Sequence, residues 1–242
     1  MKGSDEAQIL GLGDETIAPS LVAAAHELKS PLATIRQLTL GIDVSGLDSV
    51  TQQSLERIVL TSERALRLTS DVTRHARLED SLFECEPLNP SVVCEDVARE
   101  LSPLFAAHNK KIEVAPTRRG RLVVANRELL RRILLNFGDN ALRYTNHDDS
   151  VKLSINSVDG QHVRINVRDY GPSISPKVWS ALEEGIGSRA QPLPSRPDGS
   201  GLGLLVARQF AEVMHGSVGV TRHRDGASFF VDLQASTQLS LL

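Results

Sequence analysis

Apolar residues in the first third of the chain recur at alternating steps of four and three, the heptad spacing of helices packed in a bundle. One stripe predicts a helix over residues 14–43 and consists of Ile17, Leu21, Ala24, Leu28, Pro31, Ile35, Leu38 and Ile42. After a turn at 41–47 and a cap at Asp48, a second stripe predicts a helix over 49–79 and consists of Leu55, Ile58, Ser62, Ala65, Thr69, Val72 and Ala76. Two narrow seams bury little alone, so we expect a hairpin that dimerises into a four-helix bundle.

The pattern changes after residue 80, where short alternating segments are mixed with helical ones. The predicted strands are 83–88, 111–116, 121–124, 151–155, 163–167, 217–222 and 227–233, and the predicted helices are 90–109, 127–144 and 202–214. Residues 185–201 are rich in Gly, Pro, Ser and Arg and predict a loop. This mixture favours an α+β sandwich. We therefore divide the chain into 1–13 (a linker or a remnant of cloning), the hairpin 14–80 and a second domain 81–242.

Composition narrows the possible partners. The net charge is −3 and aromatic residues make up 4% of the chain, whereas nucleic-acid binding needs a basic surface or aromatic stacking platforms. The two cysteines, Cys85 and Cys94, form no CxxC pair, so we expect reduced core thiols. Because no apolar run approaches the roughly 18 residues of a membrane span, we expect no membrane contact by this chain itself.

The segment His26-Glu27-Leu28-Lys29-Ser30-Pro31-Leu32 carries candidate chemistry on the first helix. His26 lies about 200° around the helix from Ala24 and should face solvent. A neutral imidazole can attack phosphorus if Glu27 takes its other proton, and Ser30 lies one turn further on the same face. A solvated surface histidine is the alternative. A zinc HExxH site is excluded, because Ser30 occupies the place of the second histidine.

Three polar side chains share one face of the predicted helix 127–144, opposite its apolar side. Asn136 and Asn140 are four residues apart, and Arg143 follows at seven from Asn136. Magnesium accepts amide oxygens together with waters and phosphate oxygens, and arginine pairs with phosphate. The alternative is a solvated polar face.

Two further segments could bind a nucleotide. Asp169 ends a strand before Tyr170-Gly171, where a carboxylate can accept a hydrogen bond from the adenine amine; an ordinary Asp-X-Gly turn is the alternative. Gly199, Gly201 and Gly203 lie where a helix begins at Leu202, and helix N-termini attract anions. Neither a Walker loop nor a Rossmann GxGxxG fits these glycines, and a flexible linker is the alternative.

Together these segments resemble the bacterial sensor histidine kinases of two-component systems. That family joins a dimerisation and histidine phosphotransfer hairpin to an ATP-binding α/β sandwich of the gyrase, Hsp90, histidine kinase and MutL type. Residues 26–32 look like its H box, 136–145 like its N box, 169–174 like its first glycine box and 198–204 like its second. The resemblance covers residues 14–235.

The resemblance implies that His26 is phosphorylated, that Glu27 is its base and that Ser30 takes part in catalysis. It also implies that Asn136 and Asn140 bind Mg²⁺. The implied nucleotide-binding residues are Asn136, Asn140, Arg143, Tyr144, Asp169, Gly171, Gly199, Gly201, Leu202 and Gly203. The implied cofactors are ATP and Mg²⁺.

The implied partners are a second copy of the chain through residues 14–79 and the receiver domain of a response regulator, whose aspartate accepts the phosphoryl group. The implied location is the bacterial cytoplasm, either as this chain or as the cytoplasmic part of a longer or membrane-anchored sensor. No nucleic-acid partner is implied.

Three positions depart from the family pattern. Ser173 stands where a second glycine is usual, the phenylalanine-rich segment is reduced to Trp179-Ser-Ala-Leu-Glu-Glu-Gly, and Ser30 replaces the commoner threonine or asparagine. Ser173 and the reduced phenylalanine-rich segment favour one alternative, a degenerate kinase that acts as a dimeric ATP-binding scaffold or regulator phosphatase. The other alternative is a gyrase- or MutL-type ATPase, and the histidine-bearing hairpin argues against it.

Overall fold

The computed structural model describes residues 19–75, 83–116, 121–145, 150–171 and 202–237. It begins with two antiparallel helices, α1 (Pro19–Leu40) and α2 (Ser49–His75). An ion pair of 2.7 Å between Arg36 Nε and Glu63 Oε1 joins them. As predicted, Asp48 caps α2: its Oδ1 accepts the N–H groups of Val50 and Thr51 at 2.9 and 3.0 Å.

The ends of both helices differ from the prediction. Helix α1 ends at Leu40 and not at 43, because the chain turns at Gly41, whose N–H donates to the carbonyls of Gln37 and Leu38. The predicted segments 14–18 and 76–79 lie outside the described residues.

The apolar stripe of α1 is largely exposed in the single chain. Leu28, Ile35 and Leu38 are 53%, 45% and 68% exposed. The heptad pattern predicted that Ala24 would be in the seam, but Ala24 is exposed and its neighbour Ala25 is buried. On α2 the predicted stripe positions Ser62 and Thr69 are buried. Helix α1 therefore keeps an apolar surface that the other described residues of its chain do not cover.

The second part of the chain contains three described helices and seven described strands. The helices are α3 (Pro90–Ala107), α4 (Arg127–Tyr144) and α5 (Leu202–Val213). The strands are β1 (Glu86–Leu88), β2 (Lys111–Val114), β3 (Val123–Ala125), β4 (Ser150–Ser157), β5 (His162–Arg168), β6 (Ser217–His223) and β7 (Gly226–Gln234). The segment predicted as strand 83–88 pairs only from Glu86, and the one predicted at 121–124 pairs from Val123, because β1 and β3 bond to each other over three residues.

Five strands form one sheet in the order β2-β4-β5-β7-β6, with β2 parallel to β4 and the other pairs antiparallel. Alternate residues of β4, β5 and β7 are buried: Val151, Leu153, Val163, Ile165, Val167, Phe229, Val231 and Leu233. These side chains share one hydrophobic core with residues of α3, α4 and α5. The predicted α+β fold, with an α/β sandwich after a helical hairpin, is confirmed.

Asparagine side chains cap the N-termini of α3 and α4. The Asn89 side chain accepts the N–H of Ser91 in front of Pro90, and the Asn126 side chain accepts those of Glu128 and Leu129. The cap at Asn126 starts α4 at the predicted residue. Within the described ranges, no helix is long and apolar enough to cross a membrane.

Candidate functional site

The candidate phosphoacceptor residues lie on the exposed side of α1. His26, Glu27 and Ser30 are all exposed, so the prediction that His26 faces solvent is confirmed. The Ser30 carbonyl accepts a hydrogen bond of 3.0 Å from Thr34 Oγ1, and Pro31 lies inside the helix. The imidazole is therefore open to a reaction partner from outside the hairpin.

Helix α4 does not present a fully solvated polar face, which is the alternative to a ligand site at Asn136, Asn140 and Arg143. Asn136 is only 4% exposed, Asn140 is half-buried, and Arg143 is exposed. The polar face is covered at Asn136, because the start of α5 packs against that residue. Helix α2 reaches the next turn of α4 through the side chain of Arg64, which contacts Asp139. Asn136 Nδ2 is buried without a hydrogen-bond partner among the described residues, which marks it as a donor available to a ligand.

The start of α5 lies against Asn136. A Cβ atom on Gly203 would be 3.7 Å from both Cγ and Oδ1 of Asn136. Gly203, the described glycine of the second glycine segment, therefore lies against the helix that carries Asn136. Gly199 and Gly201 lie outside the described residues, as do Ser173 and the segment from Trp179, and α5 begins at Leu202.

Asp169 is fully buried at the end of β5 and is held by backbone groups. Its Oδ1 accepts the N–H of Ala227 at 3.1 Å and the N–H of Gly171 at 3.3 Å. Its own N–H donates to the Ala227 carbonyl at 2.9 Å. The start of β7, 58 residues further along the chain, thus orients the carboxylate.

Gly171 fastens the end of β5 to the end of α4. A Cβ atom at Gly171 would collide with the carbonyl oxygen of Tyr144, so only glycine fits. One residue earlier, the N–H of Tyr170 donates to Thr145 Oγ1 at 3.4 Å. The end of α4, with half-buried Tyr144, is therefore joined to the Asp169 pocket.

An ion cluster between α2 and the sandwich lies beside these residues, and the sequence gave little sign of it. Arg64 Nε lies 3.1 Å from Asp139 Oδ2, and Arg67 reaches both Asp139 and Glu100. Burial raises the pKa of the Asp139 carboxyl above its ordinary value, against the opposing effect of Arg64 and Arg67. Burial likewise lowers the pKa of Arg64.

Next to this cluster, a cleft of about 390 Å³ separates α2 from α4. Leu66, Arg67 and Ser70 line it from α2, and Leu135 and Asn136 line it from α4. Asn136, a predicted nucleotide-binding residue, therefore lies at the cleft between the hairpin and the sandwich.

Comparison with known proteins agrees with this arrangement. Residues 125–237 match the family described as histidine kinase-, DNA gyrase B-, and HSP90-like ATPase. The sensor protein kinase PmrB of Pseudomonas aeruginosa is 33% identical over 224 residues, which are 87% of this chain and 43% of PmrB. The swarming motility regulation sensor protein RssA of Serratia marcescens is 32% identical, over 88% of this chain and 45% of RssA.

Solved structures extend the comparison to both parts of the chain. Full-length ShkA in complex with AMPPNP superposes with a TM-score of 0.63 at 26% identity, over 92% of this chain and 47% of that one. The mycobacterial sensor histidine kinase MprB has a TM-score of 0.54 at 21% identity, covers 63% of this chain, and supports the fold alone.

The site and the fold therefore define an ATPase-type sandwich joined to a histidine-bearing hairpin. The chain belongs to the sensor histidine kinases of two-component systems. It spans less than half the length of PmrB and RssA.

Proposed function

We propose that the chain is the catalytic part of an ATP-dependent autophosphorylating histidine kinase and that His26 receives the phosphoryl group. The observation that carries the proposal is the combination of two sites in one chain. An exposed histidine stands next to a carboxylate on a helical hairpin, and the sandwich against that hairpin holds a buried aspartate fixed by backbone groups.

We assign ATP to the sandwich, with adenine on Asp169 and phosphates toward Gly199, Gly201, Leu202 and Gly203. Asp169 is held through Oδ1, so its carboxylate has a fixed direction and can select the adenine amine over the carbonyl of guanine. Tyr144 and Gly171 adjoin this pocket. AMPPNP in the ShkA structure, an ATP analogue on a related fold, is consistent with the assignment.

We assign Mg²⁺ to Asn136 and Asn140, with Arg143 on phosphate. The donor set fits: amide oxygens can supply one or two ligands while waters and phosphates supply the others. The buried Nδ2 of Asn136 can in addition donate to a phosphate oxygen. Bound magnesium would neutralise charge on the phosphates during transfer.

His26 and Glu27 then perform the transfer. One imidazole nitrogen attacks the γ-phosphorus as the bond from phosphorus to the bridging oxygen breaks, and ADP leaves. Glu27 accepts the proton from the other nitrogen, so the phosphorylated ring remains neutral. In a separate reaction, Ser30 orients a water that attacks the phosphoryl group on the aspartate of a docked regulator, so that the bond from phosphorus to the carboxylate oxygen breaks and inorganic phosphate leaves.

The proposed partners are a second copy through residues 14–79 and the receiver domain of a response regulator, which takes the phosphoryl group onto aspartate. The exposed apolar side chains of α1 support the first, and the family of the chain supports the second. We place the chain in the bacterial cytoplasm, either alone or as the kinase part of a longer sensor, with domain limits 14–80 and 81–242.

The decisive experiment is incubation of the purified chain with γ-labelled ATP and magnesium. We expect label on the protein that is lost in acid and kept in base, as phosphohistidine is, and no label on His26→Gln. Nucleotide binding without label would favour the scaffold. Phosphate release without label in either variant would favour a gyrase- or MutL-type ATPase.

A further inference from the structure

A second stripe on α2 faces the sandwich and not α1. We call it the docking stripe: Gln53, Arg57, Leu60, Arg64 and Arg67, spaced four, three, four and three residues apart. Two residues along a helix correspond to about 200°, so Arg57 lies opposite the seam position Leu55. The stripe is mostly polar, which is why apolar periodicity did not reveal it.

The first half of the docking stripe attaches to the end of α3. The side chains of Gln53 and Arg57 both donate to the carbonyl oxygen of Ala107, at 3.4 and 2.7 Å. A cation at a helix C-terminus is favourable, because the last carbonyls carry partial negative charge. Leu60 packs against the sandwich core. The hairpin is therefore docked by specific contacts.

The second half of the docking stripe surrounds Asp139. Arg64 Nη2 donates to the Asp139 carbonyl oxygen at 3.1 Å, while its Nε lies 3.1 Å from the carboxylate. Arg67 lies 3.9 Å from the same carboxylate and 3.7 Å from Glu100. The side chains of Arg64 and Asp139 are only 17% and 5% exposed, so water screens this pair weakly.

Asp139 stands directly before Asn140 and three residues after Asn136. Both asparagines are assigned here to magnesium and phosphate. ATP brings several negative charges to this helix, and a poorly solvated carboxylate beside them repels the nucleotide unless a cation compensates it. Arg143, four residues on, belongs to the sandwich, but the closest cation given by the structure is Arg64 of the hairpin.

We propose that Arg64 is a positioning residue for nucleotide binding, which acts by neutralising Asp139 from the hairpin. The inference rests on the proposed ATP site. It links nucleotide affinity to docking, because Arg64 and Arg67 compensate the carboxylate only while α2 lies against the sandwich, whereas Arg143 belongs to α4 itself. By thermodynamic linkage, bound nucleotide in turn favours the docked arrangement.

The test is a double-mutant cycle in the full-length chain, with Arg64→Met, Asp139→Asn and the two combined. Affinity for magnesium-free AMPPNP is measured by calorimetry. We expect Arg64→Met to weaken binding roughly tenfold. Asp139→Asn should bind at least as tightly as the unchanged chain, and the double variant should match Asp139→Asn within about twofold.

Arg164→Met is the matched control, since Arg164 forms an ion pair with Asp232 between β5 and β7, and neither residue lines the cleft beside Asp139. It should leave affinity unchanged. If Arg64→Met fails to fold, Arg64→Lys keeps the charge and should retain most of the affinity. Unchanged affinity in Arg64→Met, or a double variant as weak as Arg64→Met, would overturn the role through Asp139. Absence of binding in the unchanged chain would instead reject the ATP site itself.

Discussion

Gly226 lies so close to Asp169 that a Cβ atom on Gly226 would come within 2.6 Å of Asp169 Oδ1. The residue also has a φ of +126°, a conformation that side chains of L-residues rarely adopt. Glycine at this turn therefore does two things: it lets β7 begin, and it leaves the space in which the Asp169 carboxylate accepts its backbone hydrogen bonds.

Gly226→Ala should abolish most nucleotide binding. The added methyl group must displace the carboxylate that we assign to adenine, and the backbone strain costs about 1–3 kcal/mol of folding free energy. Calorimetric titration with AMPPNP measures the first effect and thermal unfolding the second.

Gly160→Ala separates the two effects. Gly160 also has a positive φ, of +80°, but nothing lies within 4 Å of the place of its Cβ. Alanine there should lower the unfolding temperature and leave AMPPNP affinity unchanged. Equal loss of affinity in both variants would mean that strain, and not contact with Asp169, weakens binding.

Asp169→Asn should weaken nucleotide binding by a factor of roughly ten to one hundred. The amide must turn its NH₂ group either toward the Ala227 N–H or toward the adenine amine. In both orientations the NH₂ group, a donor, faces another donor, so one hydrogen bond is lost. A mispaired buried polar group costs about 1–3 kcal/mol. Asp232→Asn, the same change at a β7 residue that pairs with Arg164, is the control. Unaltered affinity in Asp169→Asn would exclude the adenine assignment.

Asn140→Ala should slow phosphorylation of His26 more than it weakens binding of magnesium-free nucleotide. The reason is that a metal ligand acts mainly on the charge that develops in the transition state. Labelling rates at saturating ATP, compared with AMPPNP affinities in a chelator, give the two quantities. Asn156→Ala, on the exposed end of β4, should change neither. A parallel loss of rate and binding would make Asn140 a structural residue.

The chain should be a homodimer through its hairpin, and Leu38→Glu should weaken that dimer by a factor of roughly ten or more. Leu38 is 68% exposed in the single chain and lies on the heptad stripe. In a symmetric dimer the Leu38 side chain of each copy would be buried, so one substitution affects two buried positions. Light scattering should give twice the monomer mass of 26.3 kDa for the unchanged chain.

Gln37→Glu adds the same charge one residue away from the stripe and should remain dimeric. A monomeric unchanged chain at micromolar concentration, or equal dissociation of both variants, would contradict dimerisation through this stripe.

Local signals predicted much of the fold. Helix α4 begins at Arg127 because Asn126 caps it, and both are visible in the sequence. The strands β4, β5 and β7 follow from simple alternation, since one face of the sheet is buried and the other is not. Asp169 could be identified as a site residue because a carboxylate at a strand end before Tyr-Gly is a local pattern.

The contacts between distant segments could not be predicted in this way. The burial of Asn136 depends on α2 and α5, which lie more than 60 residues away on either side. The pairing of Arg64 with Asp139 spans 75 residues and involves polar side chains, which carry no apolar periodicity. The parallel pairing of β2 with β4 likewise results from the crossover of the intervening segment, not from the composition of either strand.

Ser30 should support weak dephosphorylation of the phosphorylated regulator. It is exposed one turn beyond His26, and its carbonyl, not its hydroxyl, accepts the bond from Thr34. The hydroxyl can therefore orient a water toward a phosphoryl group on a docked receiver domain. Serine lacks the β-methyl group that restricts χ1 in threonine, so its hydroxyl is less well fixed. We expect Ser30→Ala to remove most of this activity and Ser30→Thr to raise it.

The measurement follows release of phosphate from the purified phosphorylated regulator at excess kinase chain, in parallel with labelling of His26 from γ-labelled ATP. Ser30→Ala should change labelling far less than dephosphorylation, because the attacking imidazole is assisted by Glu27. Thr34→Ala removes a hydroxyl from the next turn of the same helix and should leave dephosphorylation unchanged. If the Ser30 variants alter labelling but not dephosphorylation, Ser30 serves the geometry of the helix near Pro31 and has no part in orienting water.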